Sequence, residues 1–105
     1  MIQLAGRWSG ALEVEGQRIP GALVLRQDGS RLDVTFTADQ LGGESSGSGR
    51  VAEDGGLSLE IDYRTQCPGT LALTGAVLDG AARLAGSLTA TDCTGRAAGA
   101  FSFTR

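Results

Sequence analysis

The chain contains no histidine, no lysine and no asparagine. Without histidine there is no Ser-His or Cys-His nucleophile pair and no imidazole metal site. Without lysine no side chain can form a Schiff base. Without asparagine no N-glycosylation sequon exists. All nine cations are arginines, against twelve acidic residues, for a net charge of −3. That balance argues against a nucleic-acid partner, which needs an excess of cations to neutralise phosphates. No apolar run approaches the roughly 20 residues of a membrane-spanning helix. The opening "MIQLAG" lacks the basic and apolar regions of a signal peptide. Two locations stay open: a cytoplasmic chain, or one that begins where a mature exported protein begins. The acid–base candidates left are carboxylates, Tyr63, Cys67 and Cys93.

Glycine is abundant, with 17 residues, and helical periodicity is scarce. Period-two alternation is plain instead, and it predicts strands. "LDVTFT" sets Leu32, Val34 and Phe36 against Asp33, Thr35 and Thr37. "LSLEIDY" sets Leu57, Leu59, Ile61 and Tyr63 against Ser58, Glu60 and Asp62. "GAFSFTR" aligns Phe101 with Phe103, and "GRWSGALEV" aligns Trp8, Gly10, Leu12 and Val14. Asp28-Gly29, Asp54-Gly55 and Asp79-Gly80 recur 26 and 25 residues apart, each between two such runs. Asp-Gly supplies the positive φ angles of tight hairpins. The pattern predicts one domain over 1–105. Its eight strands fall near 6–14, 18–27, 31–38, 46–53, 57–64, 69–78, 82–90 and 96–104. Eight sequential antiparallel strands leave two open edges, and closure into an up-and-down meander β-barrel removes both. A solenoid is the competing reading of the repeat. Three hairpins of this length suit a closed barrel better.

A meander sorts its connections by end. The Asp-Gly turns fall at one end. Residues 15–18, 39–46, 65–69 and 91–96 fall at the other, where they are expected to form a rim of longer, adaptable loops. Strand one begins and strand eight ends at the Asp-Gly end, so closure brings Trp8 beside Arg105. The pair is expected to plug the barrel floor, with Gly6 and Gly10 easing the backbone curvature.

"GRWSG" and "FSFTR" resemble the Gly-x-Trp opening and closing Arg of the calycins, the lipocalin and avidin group of small barrels. "PGTLALTG" (68–75) and "AGSLTATDCTG" (85–95) are similar in style to short bacterial secreted or lipoprotein barrels with a Gly-x-Trp start. The resemblance spans the chain in rhythm and about ten residues in motif. It implies a barrel that binds an apolar ligand or a protein. Biotin-binding barrels use several tryptophans and inward polar groups, which this chain lacks. Barrel inhibitors of bacterial metalloproteases insert an N-terminal arm, and only five residues precede Gly6 here.

Cys67 and Cys93 fall in the fifth and seventh connections, at the same end, where a disulfide would staple the rim. The alternative is two reduced thiols in a cytoplasmic protein. Their spacing is not a metal motif, so neither a metal nor a cofactor is expected. Glu60 and Asp62 alternate to the outside and read as a solvated face. "GGESSGSGR" (42–50) lacks the Lys of a phosphate-binding loop and reads as a mobile third connection running into strand four, a candidate lid. The inward face is apolar throughout. Leu25, Phe36, Ile61 and Tyr63 are the residues expected to line a ligand site at the barrel mouth.

These features predict a non-catalytic binding module for a small hydrophobic molecule, periplasmic or extracellular if the cysteines are oxidised and cytoplasmic otherwise. One alternative is a rim that binds a protein, such as a hydrolase to be inhibited. A second is a cyclase or isomerase that holds an apolar substrate in a reactive shape, which needs few titrating groups.

Overall fold

The structure, a computed structural model, describes residues 2–41, 43–63 and 67–105. Eight strands follow one another: β1 (Gly6–Val14), β2 (Gln17–Asp28), β3 (Arg31–Ala38), β4 (Gly43–Val51), β5 (Gly56–Tyr63), β6 (Gly69–Leu78), β7 (Arg83–Asp92) and β8 (Gly95–Thr104). Each pairs with its sequence neighbours, and β1 closes on β8, so the sheet is an antiparallel up-and-down barrel with no edge. The closing register sets Gly10 against Phe103 and Leu12 against Phe101.

Alternation decides which side chains enter the bore. Leu12, Leu23, Leu32, Leu59, Ile61, Leu73 and Phe103 are all essentially inaccessible to solvent. Phe36 meets Phe103 edge to face at 6.1 Å, filling the middle of the barrel. One end is sealed from below. Leu4, ahead of β1, is fully buried beneath Trp8. The Trp8 indole Nε1–H donates to the Leu4 carbonyl at 2.9 Å. Gln27, inward on β2, ties down the same segment: its Oε1 accepts from Leu4 N, and its Nε2 donates to Ile2 O. The Arg105 guanidinium lies 4.3 Å from the Trp8 ring centroid and donates to the carbonyls of Gln3, Ala5 and Ala81.

Two expectations are corrected. Strand four, expected near 46–53, begins earlier: residues 43–45, read as part of a mobile connection and candidate lid, belong to β4. The strand pairs with β3 from Arg31↔Arg50 to Ala38↔Gly43, and with β5 from Ser46↔Asp62 to Val51↔Leu57. Gly42 lies outside the described residues. The alternation was hidden because its inward members are small: Ser45, Gly47 and Gly49, against Glu44, Ser46, Ser48 and Arg50. Gly47 has no room for a side chain, since a Cβ would collide with the carbonyl oxygen of Glu60. Gly47→Val should therefore cost about 1–3 kcal/mol or more by overpacking, read as a fall in the urea midpoint. An unchanged midpoint would show that β4 can shift to accept it.

The second correction concerns the two ends. Two of the four connections expected to be long, the first and the seventh, are tight turns. β1 and β2 are joined by Glu15-Gly16, with φ of 52° and 79°, the pair of positive values a two-residue turn demands. β7 and β8 are joined by Cys93-Thr94 alone, and a short 3₁₀ turn at Asp39–Leu41 leads towards β4. At the opposite end, only β2–β3 has a two-residue link. The β4–β5 and β6–β7 links run over 52–55 and 79–82. An Asp-Gly pair marks a bend, not the length of the connection.

Candidate functional site

The open end of the barrel lies opposite Trp8. The inward residues there are shorter or less covered than those below: Val14, Ile19, Ala90 and Ala97 are only partly buried. They enclose, with Glu15, Gln17, Tyr63, Leu71 and Asp92, a hollow of about 240 Å³. Larger depressions of about 450 and 500 Å³ exist, but they lie between outward side chains on the outer wall. The mouth hollow differs in being walled by inward apolar side chains, Leu71 buried and Val14, Ile19, Ala90 and Ala97 partly so.

Of the four residues expected to line a ligand site, Tyr63 borders this hollow. Leu25 pairs with Gly6 and Val34, which puts it in the floor half. Phe36 is packed in the middle of the bore against Phe103. Ile61 pairs with Gly47 and Leu71 and is buried below Tyr63. The ring of Tyr63 lies over Gly69, where a Cβ would approach its Oη and Cζ at 2.6 and 2.7 Å. Glycine on β6 thus makes the seat on which the phenol leans towards β7.

There the Tyr63 hydroxyl donates to Asp92 Oδ2 at 3.4 Å. Asp92 Oδ1 accepts from Thr94 N at 2.8 Å and from Thr94 Oγ1 at 2.6 Å. The Thr94 bonds hold the Asp92 carboxyl below the usual carboxylate range, so it is charged at neutral pH. Burial first, then the Asp92 charge and hydrogen bond, push the Tyr63 phenol up, so it stays protonated there. Asp92 fell within the expected rim residues 91–96, but its partnership with Tyr63 was not foreseen. Nor were Ile19, Ala90 and Ala97 as walls.

Cys67 and Cys93 are joined by a disulfide with Cα atoms 5.7 Å apart, and Cys93 N donates to Cys67 Sγ. The bond anchors the connection after Tyr63 to the turn that carries Asp92 and Thr94. Residues 65 and 66 of the expected rim lie outside the described residues. Among the described residues no group of His, Cys, Asp and Glu is arranged to hold a metal ion. No helix is long and apolar enough to cross a membrane.

No protein-family model matches the chain, and no curated protein matches it. Solved structures do. The structure of EF1p2_mFAP2b bound to DFHBI is similar with a TM-score of 0.73 at 15% identity, covering 97% of this chain and 93% of that one. A de novo designed fluorescence-activating β-barrel gives 0.67 at 15% identity, over 96% and 92%. A redesigned β-barrel gives 0.64 at 21% identity, over 97% and 90%. At these identities the likeness shows the fold alone: a small closed antiparallel barrel.

Proposed function

We propose that the protein is a binding barrel for a small, largely apolar molecule, held in the hollow at the mouth and not deep in the bore. The observation that carries this is the hollow itself. It has partly buried apolar walls, one oriented phenol and one fixed carboxylate, the combination of apolar lining and few placed polar groups that small-molecule sites use. Its volume is below the roughly 300–1,000 Å³ of drug-sized sites, so the ligand is small. That two similar barrels are fluorescence-activating or were solved with DFHBI supports the use of such a fold for ligands. The calycin resemblance supports it as well. The disulfide is compatible with an oxidising compartment, and we assign the protein to the periplasm or outside the cell on that ground.

The alternatives have less to rest on. Two of the four mouth connections are two-residue turns, which reduces the adaptable loop surface that favoured a protein partner. The bore holds Phe36, Phe101 and Phe103 where a cyclase substrate would have to fold.

A neutral solvatochromic dye small enough for the site, such as Prodan, should bind saturably with a blue shift. Ala90→Trp fills the hollow and should weaken binding at least about tenfold, the loss of a few buried CH₂ groups. Thr74→Trp, on the outer wall, should leave it unchanged. No saturable binding, or equal binding to both variants, would overturn this reading.

A further inference from the structure

We infer that the Cys67–Cys93 bond is a thiol-operated switch on the mouth: a dithiol attacks the exposed sulfur of Cys93, Cys67 leaves, and the outermost rung of the barrel loosens and releases what the hollow holds. The inference rests on the mouth hollow being the binding site, and it names how that site is emptied.

The bond lies beyond the end of the sheet. The last rung at the mouth runs Tyr63↔Gly69, Gly69↔Asp92 and Asp92↔Gly95. Cys67 comes two residues before Gly69, and Cys93 is the residue after Asp92. The disulfide therefore ties the β5–β6 connection to the β7–β8 turn just above that rung. The outermost rungs of a sheet open first, at little cost in free energy. This one carries Tyr63 and Asp92, two of the residues that line the hollow. The rungs beneath it, Leu71↔Ala90 and Leu73↔Leu88, continue without the bond, and the closure of β1 on β8 does not involve it. Reduction is thus placed to loosen the mouth while the barrel stays closed.

The two sulfurs are not equivalent. Cys93 is exposed, as the first residue of a two-residue turn, whereas Cys67 is half-buried. The Cys93 amide donates to Cys67 Sγ at 2.9 Å. A hydrogen bond to sulfur favours the thiolate. Cys67 is therefore the better leaving group, and Cys93 is the sulfur attacked. One thiolate of the reductant forms a bond to Cys93 Sγ, and the electron pair of the Cys67–Cys93 bond leaves on Cys67. The reductant's second thiol loses its proton, attacks its own sulfur in the mixed disulfide and expels Cys93 as a thiolate. Both cysteines then take up a proton. The net change passes two electrons and two protons from a dithiol, which ends as a disulfide.

Dithiothreitol, reduced glutathione and Prodan test each step on the full chain. Complete reduction by dithiothreitol should weaken Prodan binding about fivefold or more, the ordering cost of the freed side chains. Reoxidation should restore it. Far-UV circular dichroism and Trp8 emission should not change. A Cys67→Ala/Cys93→Ala variant should bind like the reduced protein and ignore dithiothreitol. If that variant does not fold, the reduced and reoxidised protein still decides. Brief exposure to reduced glutathione, quenched with N-ethylmaleimide, should leave glutathione on Cys93 and maleimide on Cys67 in peptide mass mapping. Undiminished Prodan affinity after complete reduction, a bond that yields only once the protein unfolds, loss of the whole fold on reduction, or glutathione on Cys67 as often as on Cys93 would overturn the inference. Failure of Prodan to bind the oxidised protein overturns the binding-site reading beneath it instead. The switch is then decided by amide exchange: residues 91–95 should exchange faster on reduction, and no acceleration there overturns it.

Discussion

Trp8→Ala is expected to lower the unfolding free energy by about 3–5 kcal/mol, the usual cost of deleting a large buried side chain. Several terms converge on the one ring. It is fully buried. Its Nε1–H satisfies the Leu4 carbonyl, which would otherwise be a buried acceptor without a donor. Arg105 lies against its face, a contact of about 0.5–2 kcal/mol, and the same guanidinium reaches the carbonyls of Gln3 and Ala5. Removing the indole therefore frees the segment ahead of β1, and Leu4 loses the surface it covers. Urea unfolding followed by circular dichroism measures the loss, and amide exchange should show residues 2–5 losing protection. Arg105→Ala should cost less, because much of its contact is exposed and screened. A Trp8→Ala protein of unchanged stability that merely loses ligand would overturn the assignment of Trp8 to the floor and exchange the two ends of the barrel.

That the tryptophan sits at the floor was legible because strand parity fixes it: an even number of meander strands brings the first and last together at one end. β3, β5 and β8 were legible because their alternation carries large apolar residues. What failed failed for identifiable reasons. The start of β4 was placed about three residues late because its inward positions are serine and glycine, so period-two patterning is present in geometry but not in hydrophobicity. Leu4 precedes the first alternating run, and Gln27 is a polar residue on an inward position, so neither registers as part of a seal. Leu25 was assigned to the mouth because alternation gives only in or out. Height along the bore depends on the stagger between strands, and the register sets Leu25 against Gly6. The hollow depends on side chains from β1, β2, β5, β6, β7 and β8 being short at one level together. No local reading of a strand contains that sum. The Tyr63–Asp92 contact, 29 residues apart in sequence, depends on Gly69 giving the phenol a seat.

Loss of the Cys67–Cys93 bond is the second large effect expected, and it acts at the opposite end. The cysteines are 26 residues apart. Closing a loop of that size removes enough unfolded-chain entropy to stabilise by roughly 3–4 kcal/mol, so a Cys67→Ser/Cys93→Ser double variant should unfold roughly 15–30 °C lower. The bond joins the connection after β5 to the β7–β8 turn, so it constrains two of the strands that bring Tyr63 and Asp92 together. It also positions Cys93 between Asp92 and Thr94, and the Cys93 amide donates to the Cys67 sulfur. The double variant should therefore bind the Prodan probe more weakly even well below its melting temperature, since the turn that fixes the Asp92 carboxylate must be ordered on binding instead of beforehand. The floor, sealed by Leu4, Trp8 and Arg105, shares none of these contacts and should keep its amide protection relative to global stability. A melting temperature lowered by less than about 5 °C, the equivalent of about 1 kcal/mol, would show that the barrel ladder alone holds the two connections together. Full stability loss with undiminished dye affinity would show that the disulfide serves the fold and leaves the mouth to shape itself.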